Sequence, residues 1–343
     1  MSDLALKVDG QIYGGWKEIK IQRGMRRFAD TFELTLTDKW AGNNERRLIK
    51  EDSPCVVDID GETVITGYVD DVNADYDATN HTLTVTGRSK LGDLVDCSNN
   101  KFDYINLDLA AIAKKECAPF GINVVVETEV GEVFKKATRN VGETHHEFLA
   151  KLASYRAVHL TSNAQGDLVI TRASEEKINT ALILGQNIRN ASGARSKRDR
   201  YRTYTVSGQQ SGNNMLNGKA AAHVSDKAID KNIREARTIV IVPDDLTLND
   251  AKQIAKNDRN IRFGESQAKT YTVNSWKHKE GLWTPNKLVP VIDAYNKLNT
   301  DLLLVHTTFT INEDGELTEL EVMPPEALDL LPVPEEPNDE DIL

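Results

Sequence analysis

The sequence predicts a mainly β protein with an α+β insert, in which two small β-barrel domains flank an α+β domain. Apolar and polar residues alternate with a period of two through the first ninety residues, as they do in half-buried strands. Two helix-then-strand patterns follow, and the alternation returns beyond about residue 195. We therefore expect domains at residues 1–93, 94–180 and 181–323, followed by an acidic, proline-rich tail at 324–343.

The first domain is predicted to contain six short strands. The clearest is Thr31–Thr37, in which Phe32, Leu34 and Leu36 share one face. A dipeptide that favours tight hairpins, Asp60-Gly61, separates two of the other runs, because glycine tolerates the positive φ that such turns require. Those five other runs are 4–8, 16–21, 55–59, 63–69 and 82–87.

Helical signals dominate the second domain. Asn106 is predicted to cap a helix over residues 107–117, since its side chain can accept a hydrogen bond from a free amide in the first turn. A second helix should begin at Thr144, which stands three residues before Glu147 in the spacing of a capping box. Each helix is followed by a strand-like run, at 122–126 and at 157–161 with 167–171.

The third domain is predicted to return to strands, with one helix that begins near Leu248. Its strand-like runs are 201–208, 238–242, 268–276, 288–292, 302–309 and 316–323. The tail that follows holds seven acids, no Lys or Arg and five of the ten prolines. Such a segment buries too little apolar surface to offset its ordering entropy, so we expect disorder or an extended arm.

Charge and cysteine content exclude several classes of protein. The net charge is −11, and subtracting the seven tail acids leaves about −4 on the rest, which argues against a dedicated nucleic-acid binder. Three cysteines in no CxxC pair favour free thiols in a reducing compartment. No apolar run is long enough to span a bilayer and no signal peptide is evident. We expect a protein made in the cytoplasm, without stable membrane insertion.

No catalytic, metal-binding or cofactor-binding site is predicted. His145-His146-Glu147 is the nearest approach to a metal cluster, but adjacent helical residues point about 100° apart, so we expect solvated first-turn residues. Carboxylate pairs such as Asp70-Asp71 and Glu175-Glu176 have no specific spacing, and no GxSxG, Walker A or GxGxxG pattern occurs. The remaining candidates are isolated histidines: His159, His223, His278 and His306.

Two segments could bind a ligand. The basic run at Arg195, Lys197, Arg198 and Arg200 could contact phosphate and line a channel for nucleic acid, although a charged domain connector is the favoured interpretation. Trp283-Thr-Pro285-Asn286 could grip a sugar, although a tryptophan packed over a barrel end is the favoured interpretation.

Four collinear segments resemble a known family. They are GYVDDVNADYDATNHTLTVTGRSKLGDLVDCS, NLDLAAIAKKECAPFGINVVV with VGETHHEFLAKLASYRAVHLTSNAQGDLVITRA, DRYRTYTVSGQQ, and GLWTPNKLVPVIDAYNKLNTDLLLVHTTFTINEDGELTELEVMPPEAL. They resemble the baseplate hub, or tail protein P, family of phage Mu and Mu-like prophages, and more distantly the hubs of T4-like baseplates and type VI secretion spikes. The residues that carry the likeness as structural signatures are Gly67, Tyr68, Gly87, Arg88, Asp93, Trp283, Pro285 and Asn286.

The resemblance implies a non-enzymatic part of the virion tail baseplate. It implies a homotrimer in which the two β domains alternate around a ring, so that three chains give pseudo-sixfold symmetry. Such a ring would join a membrane-piercing spike to the tail tube or other baseplate proteins, and the phage genome would pass through its channel without sequence-specific binding. Two alternatives remain open from the residues: a tail-associated peptidoglycan hydrolase, and a carbohydrate- or nucleic-acid-binding module.

Overall fold

The computed structural model describes residues 2–37, 49–77, 81–100, 103–194, 196–209, 223–242 and 248–328. Within these ranges the chain forms 23 β-strands, four α-helices and two short 3-10 helices. The prediction of a mainly β protein with few helices is confirmed. Residues 329–343, which make up most of the acidic tail, lie outside the described residues.

The N-terminal β region follows the predicted alternation. Phe32, Leu34 and Leu36 are all buried on one face of their strand. Asp60 and Gly61 both adopt positive φ, at 50° and 81°, and join two strands as the hairpin signal predicts. The strands are β1 (Leu4–Val8), β2 (Gln11–Tyr13), β3 (Glu18–Gly24), β4 (Thr31–Thr37), β5 (Pro54–Ile59), β6 (Glu62–Tyr76) and β7 (His81–Ser89).

The middle region combines helices with two small sheets. Its elements are α1 (Gly92–Asp96), β8 (Asp103–Leu107), α2 (Leu109–Cys117), a 3-10 turn (Ala118–Phe120), β9 (Val124–Val126), β10 (Phe134–Thr138), α3 (His145–Tyr155), β11 (His159–Ser162) and β12 (Leu168–Thr171). Strand β8 pairs with β10, and β12 lies between β11 and β9.

One predicted helix cap in this region is confirmed and the other is wrong. The capping box is present: Thr144 Oγ1 accepts from the Glu147 amide at 3.1 Å, and Glu147 Oε2 accepts from the Thr144 amide at 2.9 Å. The cap of α2 is Asp108, whose side chain accepts from the Ala111 amide at 2.7 Å. Asn106, the predicted cap, lies within β8 at a φ of 52°.

The C-terminal β region contains a small inserted layer. Strands β16, β15 and β17 form a separate sheet covered by a helix, with Tyr204, Val206 and Ala251 buried between them. The elements of the region are β13 (Leu182–Ile183), β14 (Ile188–Ser192), β15 (Thr203–Gln209), β16 (His223–Ile229), β17 (Thr238–Ile241), α4 (Leu248–Glu265), β18 (Lys269–Asn274), β19 (Lys277–His278), β20 (Gly281–Leu282), β21 (Lys287–Asp293), β22 (Leu298–Asn312), β23 (Gly315–Met323) and a 3-10 turn (Pro325–Ala327).

The prediction of two separate closed barrels is wrong for the part of the chain that the structure describes. The two β regions share one sheet of 13 strands, whose main path runs β14-β18-β23-β22-β3-β4-β7-β6-β5-β1-β2. The path has free ends at β14 and β2, and β13 joins it through β21. Alternation in sequence identifies a strand and its buried face, but it does not specify which neighbour each edge will pair with.

The two β regions meet along one seam, which we define as the antiparallel pairing of residues 19–24 in β3 with residues 306–311 in β22. Its register places Ile21 opposite Phe309 and Ile19 opposite Ile311. These four side chains are buried in a single hydrophobic core that draws residues from both β regions. The seam is therefore an internal part of one folded unit.

The strand order within the shared sheet occurs twice. In the first repeat, which we define as β3 to β7, the hydrogen-bonded order is β3-β4-β7-β6-β5. In the second repeat, defined as β14, β18 and β21 to β23, the order is β14-β18-β23-β22-β21. Each contains one 15-residue strand, β6 or β22, which pairs with the preceding strand over its first half and with the following strand over its second. The chain thus carries two copies of one five-strand arrangement.

Candidate functional site

A buried ion pair lies beside the seam. Asp30, between β3 and β4, is 1% exposed, and its Oδ2 lies 3.4 Å from Arg23 Nε. The amide of Gly24 donates to Asp30 Oδ1 at 3.3 Å. Burial raises the pKa of Asp30 to about 6 even though Arg23 opposes the shift. Sequence reasoning missed this pair, since an acid in a turn between strands is usually solvated.

A neutral histidine lies on the other side of the seam. Arg27 Nε donates to His306 Nε2 at 3.2 Å, which requires an unprotonated nitrogen at that position. Burial and the nearby Arg27 charge lower the pKa of His306 to about 4. A Cβ atom on Gly24, which pairs with His306, would lie 2.3 Å from the imidazole Nδ1 and 2.8 Å from the backbone carbonyl oxygen of Val305, so the position favours glycine.

Two signature glycines allow β6 and β7 to approach each other closely. A Cβ on Gly67 would lie 1.8 Å from the carbonyl oxygen of Arg88, and one on Gly87 would lie 2.3 Å from that of Tyr68. Tyr68 and Arg88 are themselves opposite each other in the β6–β7 pairing. These four signature residues therefore form one crossing point in the first repeat.

The side chain of Arg88 links this crossing point to the middle region. It donates to both oxygens of Asp70, at 2.7 and 3.2 Å, and to Asp96 at the end of α1 at 2.7 Å. The hydrogen bonds that Arg88 donates to Asp96 and to Asp70 raise its pKa, and the hydrogen bond with Arg88 lowers the pKa of Asp96. Asp93, another signature residue, lies in the first turn of α1, where burial raises its carboxyl pKa.

The second signature group, Trp283 to Asn286, packs in the core and bonds to the backbone. Trp283 is 2% exposed and lies in the shared core, so it cannot offer its ring face to a sugar. The predicted alternative of a carbohydrate grip at this tryptophan is therefore wrong. Pro285 is half-buried in the loop that leads into β21.

Asn286 joins the middle region to the C-terminal β region. It adopts a left-handed φ of 64°, and its amide donates to the Leu304 carbonyl at 2.8 Å. Its side-chain oxygen accepts from the Ser174 amide at 2.8 Å, and its Nδ2 donates to the Arg172 carbonyl at 3.0 Å. Asn286 thus bonds both sides of the junction, with its side chain on the Arg172–Ser174 side and its backbone N–H on the β22 side.

The middle region contains a polar cluster that the sequence did not predict. His145 was expected to be solvated, but it is 3% exposed and its Nδ1 contacts Glu116. Glu116 is fully buried and also contacts Arg139 and the hydroxyl of Tyr104. The burial and the contact with Glu116 raise the pKa of Tyr104. Helix α2 thereby supplies one carboxylate that binds three donors from β8, α3 and the loop before α3.

The basic run divides into exposed and buried residues. Lys197 and Arg198 are exposed, and Arg195 lies outside the described residues. Arg200 is 3% exposed and binds Asp230 through Nε at 3.0 Å, so its charge is neutralised inside the chain and does not face a channel.

The exposed members of the run belong to a basic pocket of about 540 Å³, formed with the loop before β17. Arg237 is positioned there by hydrogen bonds to the carbonyls of Arg200, at 2.9 Å, and of Arg198. Lys197 Nζ donates to the Asn232 carbonyl at 3.2 Å. Sequence reasoning missed Arg234 and Arg237, because they are far from the run in sequence and no short motif joins them. The four cations that line the pocket are Lys197, Arg198, Arg234 and Arg237.

Within the described ranges, no group of three or more His, Cys, Asp or Glu side chains could hold a metal ion. Burial lowers the pKa of His159 and His278, as it does that of His306. Among the helices of the described ranges, none is both long and apolar enough to cross a bilayer.

Comparison with known proteins gives three family matches along the chain. Residues 3–89 match the N-terminal domain of Mu phage baseplate assembly protein GpP-like proteins. Residues 91–172 match the second domain of baseplate hub protein gp44-like proteins, and residues 247–331 match the fourth domain of Mu phage baseplate assembly protein GpP. The baseplate hub protein gp44 of Escherichia phage Mu is 30% identical over 344 residues, which cover 96% of this chain and 89% of that protein.

Solved structures agree with these matches. The 43 kDa tail protein of prophage MuSo2 from Shewanella oneidensis is 37% identical, with a TM-score of 0.87 over 96% of this chain and all of that chain. The E. coli c3393 protein, a type VI secretion component described as similar to T4 tail proteins gp27 and gp5, shares the fold at 13% identity. Its TM-score is 0.56, over 96% of this chain and 80% of that chain. The chain therefore belongs to the Mu phage baseplate hub protein family, whose members are structural components of the phage tail baseplate and not enzymes.

Proposed function

We propose that three copies of this chain form the hub ring of a contractile, Mu-like tail, in which first and second repeats alternate around the axis. The duplicated strand order carries this proposal, because two similar units per chain allow three chains to present six similar positions. Such a ring can match a threefold partner on one side and a sixfold partner on the other.

The partners that fit this ring are a membrane-piercing spike and the tail tube. The shared fold with a type VI secretion component that resembles T4 tail proteins supports a common way of joining a spike to a tube. The working units that we assign are residues 1–93 and 181–323 for the ring and 94–180 for the inserted domain, with 324–343 as a tail.

In this proposal the signature residues have structural roles. The close approach of β6 and β7 is fixed by Gly67, Tyr68, Gly87 and Arg88. Arg88 also bonds to α1, the helix that contains Asp93. The second group acts at the other junction, where Trp283 fills the core, Pro285 restricts the loop and Asn286 satisfies the backbone. Both groups thereby set the position of the inserted domain on the ring.

Light scattering of the purified chain tests the ring. We expect a mass close to three times the 38.2 kDa of one chain at micromolar concentration and moderate salt. A single-chain mass, unchanged when the spike protein is added, would overturn the proposal. A trimer obtained only with the spike would support it, since the spike would then supply part of the assembly energy.

The channel of the ring would carry the genome past the basic pocket. Lys197 and Arg198 are exposed to solvent at that pocket, and exposed cations of this kind bind phosphate without reading sequence. Arg195 from the original prediction lies outside the described residues, and Arg200 is excluded from this role by its burial.

Binding of a fluorescent DNA duplex at several salt concentrations tests the channel. We expect weak binding whose logarithm falls with the logarithm of salt, and a slope that becomes shallower by roughly one to two in K197A/R198A. The matched control is K114A/K115A, which removes two exposed lysines from α2. Equal losses in the two double variants would contradict a role for the basic pocket.

A further inference from the structure

The seam inside the chain shows how one repeat docks against the next. Strand β3 of the first repeat pairs with the second half of β22 in the second repeat. The equivalent of β3 in the second repeat is β14, and the equivalent of the second half of β22 in the first repeat is the second half of β6. Within the described residues, β14 forms a strand pairing only with β18, apart from one isolated bridge between Leu184 and Ile188, and the second half of β6 pairs only with β7.

Matching bulges align the two long strands residue by residue. The β6–β7 pairing shifts register between Val69 and Asp71, and the β22–β23 pairing shifts between Leu304 and His306. Counting from these bulges makes Asp75 the counterpart of Thr310 and Tyr76 the counterpart of Ile311.

The registers on the other side align β14 with β3. Thr86 of β7 and Glu321 of β23 follow the two bulges directly, and they pair with Glu33 in β4 and Thr270 in β18. Those two residues pair in turn with Lys20 in β3 and Ser192 in β14, which makes Ser192 the counterpart of Lys20. By the same count, Ala191 corresponds to Ile19.

Exposure distinguishes the filled seam from its open counterparts. In the filled seam Ile311 is 8% exposed and Ile19 is 4% exposed. On the open edges Tyr76 is 77% exposed, and Ala191 is classed as exposed. An exposed strand edge with unpaired amides and carbonyls is the surface to which another strand adds.

We propose that β14 of one chain pairs with the second half of β6 in the neighbouring chain, in the same antiparallel register as the internal seam. Since Thr310 faces Lys20 inside the chain, Asp75 faces Ser192 and Tyr76 faces Ala191 between chains. The contact is head-to-tail: each chain contacts one neighbour through its β14 edge and the other neighbour through its β6 edge. The arrangement closes into a ring. This inference rests on the proposed ring and supplies its interface residues.

Disulfide trapping in the full-length chain tests the register. In a background with the exposed Cys97 changed to serine, D75C/S192C is expected to yield covalent dimers and trimers on oxidation, which a reductant returns to single chains. The positive control is K20C/T310C, which spans the internal seam and is expected to lose both introduced thiols without any gain in mass. A second pair, Y76C/A191C, repeats the measurement at the adjacent position.

The register control is D71C/S192C. It moves one cysteine four residues along β6, or about 13 Å, which is beyond the reach of a disulfide. Light scattering on the same samples separates the two levels of the proposal. If the protein is a trimer but D71C/S192C cross-links as well as D75C/S192C, the proposed interface is wrong and the ring still stands. The same conclusion follows if neither D75C/S192C nor Y76C/A191C cross-links. A single-chain mass that does not change when the spike protein is added overturns both.

Discussion

At the scale of single residues, two glycines set the distance between β6 and β7. Gly67 and Gly87 each face a backbone carbonyl of the opposite strand at a distance that leaves no room for a methyl group. The obstacle is backbone in both cases, so relief requires movement of the strand and not of a flexible side chain. The crossing point is consequently intolerant of any side chain at these positions.

G67A should therefore lower the free energy of unfolding by about 1–3 kcal/mol, because the strands must separate to admit the new Cβ. The control is G14A, where a Cβ would meet the Leu4 carbonyl at an ordinary 3.7 Å. We expect that variant to stay within about 0.5 kcal/mol of the parent. Urea denaturation compares the two, and equal stabilities would contradict the crossing-point interpretation.

Asp30, beside the seam, and His306, within it, have opposing effects on stability as pH changes. Asp30 has a pKa of about 6 in the folded chain against an ordinary 3.8, so the folded state binds more protons and stability falls as pH rises through this window. His306 has a pKa of about 4 against 6.5, so the folded state binds fewer protons and stability falls as pH drops through that window.

H306N removes only the second effect. Relative to the parent chain, we expect the variant to gain roughly 1 kcal/mol of stability when the pH is lowered from 7 to 5, after allowing for partial exposure of the imidazole. Denaturation at pH 5, 7 and 8.5 measures the difference in stability between variant and parent. That difference should be the same at pH 7 and pH 8.5, because Asp30 and His306 both titrate below pH 7. An identical pH dependence of stability in parent and variant would show that His306 does not contribute to it.

Local patterns at this scale were informative where the residues involved lie close together in sequence. The Thr144 to Glu147 box could be predicted because both partners lie within one turn of the helix. Asn106 and Asp108 are equally good caps in isolation, and only the inclusion of Asn106 in β8 decides between them. The burial of His145 depends on Glu116, which is 29 residues away, so no local pattern could indicate it.

At the scale of elements, one carboxylate holds the middle region together. Glu116 lies on α2 and contacts Tyr104 from β8, Arg139 after β10 and His145 at the start of α3. The side chains of Glu116 and Arg139 are both fully buried. Removing one charge would leave the other without compensation in a region of low dielectric constant.

E116Q keeps the size of the side chain and removes its charge. We expect the free energy of unfolding to fall by about 3–5 kcal/mol, because buried Arg139 loses its counter-ion. D103N is the matched control, since it breaks an exposed pair with Lys136 at 3.6 Å and should cost less than about 1 kcal/mol. Similar losses in both variants, measured by thermal or urea unfolding, would show that the cluster is not a specific support.

Strand positions were predictable from sequence, but their pairing was not. Thr31–Thr37 has a period of two that specifies its buried face wherever the strand is placed. Whether β3 then pairs with a strand of its own region or with β22 depends on packing at Ile21 and Phe309, which are 288 positions apart. The same limit applies to Arg200, because its partner Asp230 is distant in sequence and directly follows β16.

At the scale of the whole molecule, the two β regions form one folding unit. Their shared core includes Ile21 and Phe32 from the first repeat together with Phe309 and Val322 from the second. The middle region has its own core, made by residues between Leu91 and Ile170, with Phe28 and Ala29 only partly buried against it. The chain therefore leaves one β unit, enters an independent insert and returns to the same unit.

This arrangement predicts how fragments of the chain will behave. A fragment of residues 90–173 should unfold cooperatively by itself, because its core is nearly complete within those residues. Residues 1–89 alone should show no cooperative transition, because the seam side of β3 would expose apolar side chains such as Ile21 that are fully buried in the intact chain. Co-expression of residues 1–89 with 174–343 should restore cooperative unfolding, as the two pieces regain the shared core.

Circular dichroism and urea denaturation of each fragment provide the measurement, and the intact chain is the reference. A stable, cooperatively unfolding fragment 1–89 would mean that the first repeat closes on itself, as the sequence predicted for a separate barrel. It would also weaken the interface inferred between chains, because a repeat that is complete without β22 has no need of an equivalent strand from a neighbour. The folding of one chain and the closure of the ring thus depend on the same edge-to-edge pairing.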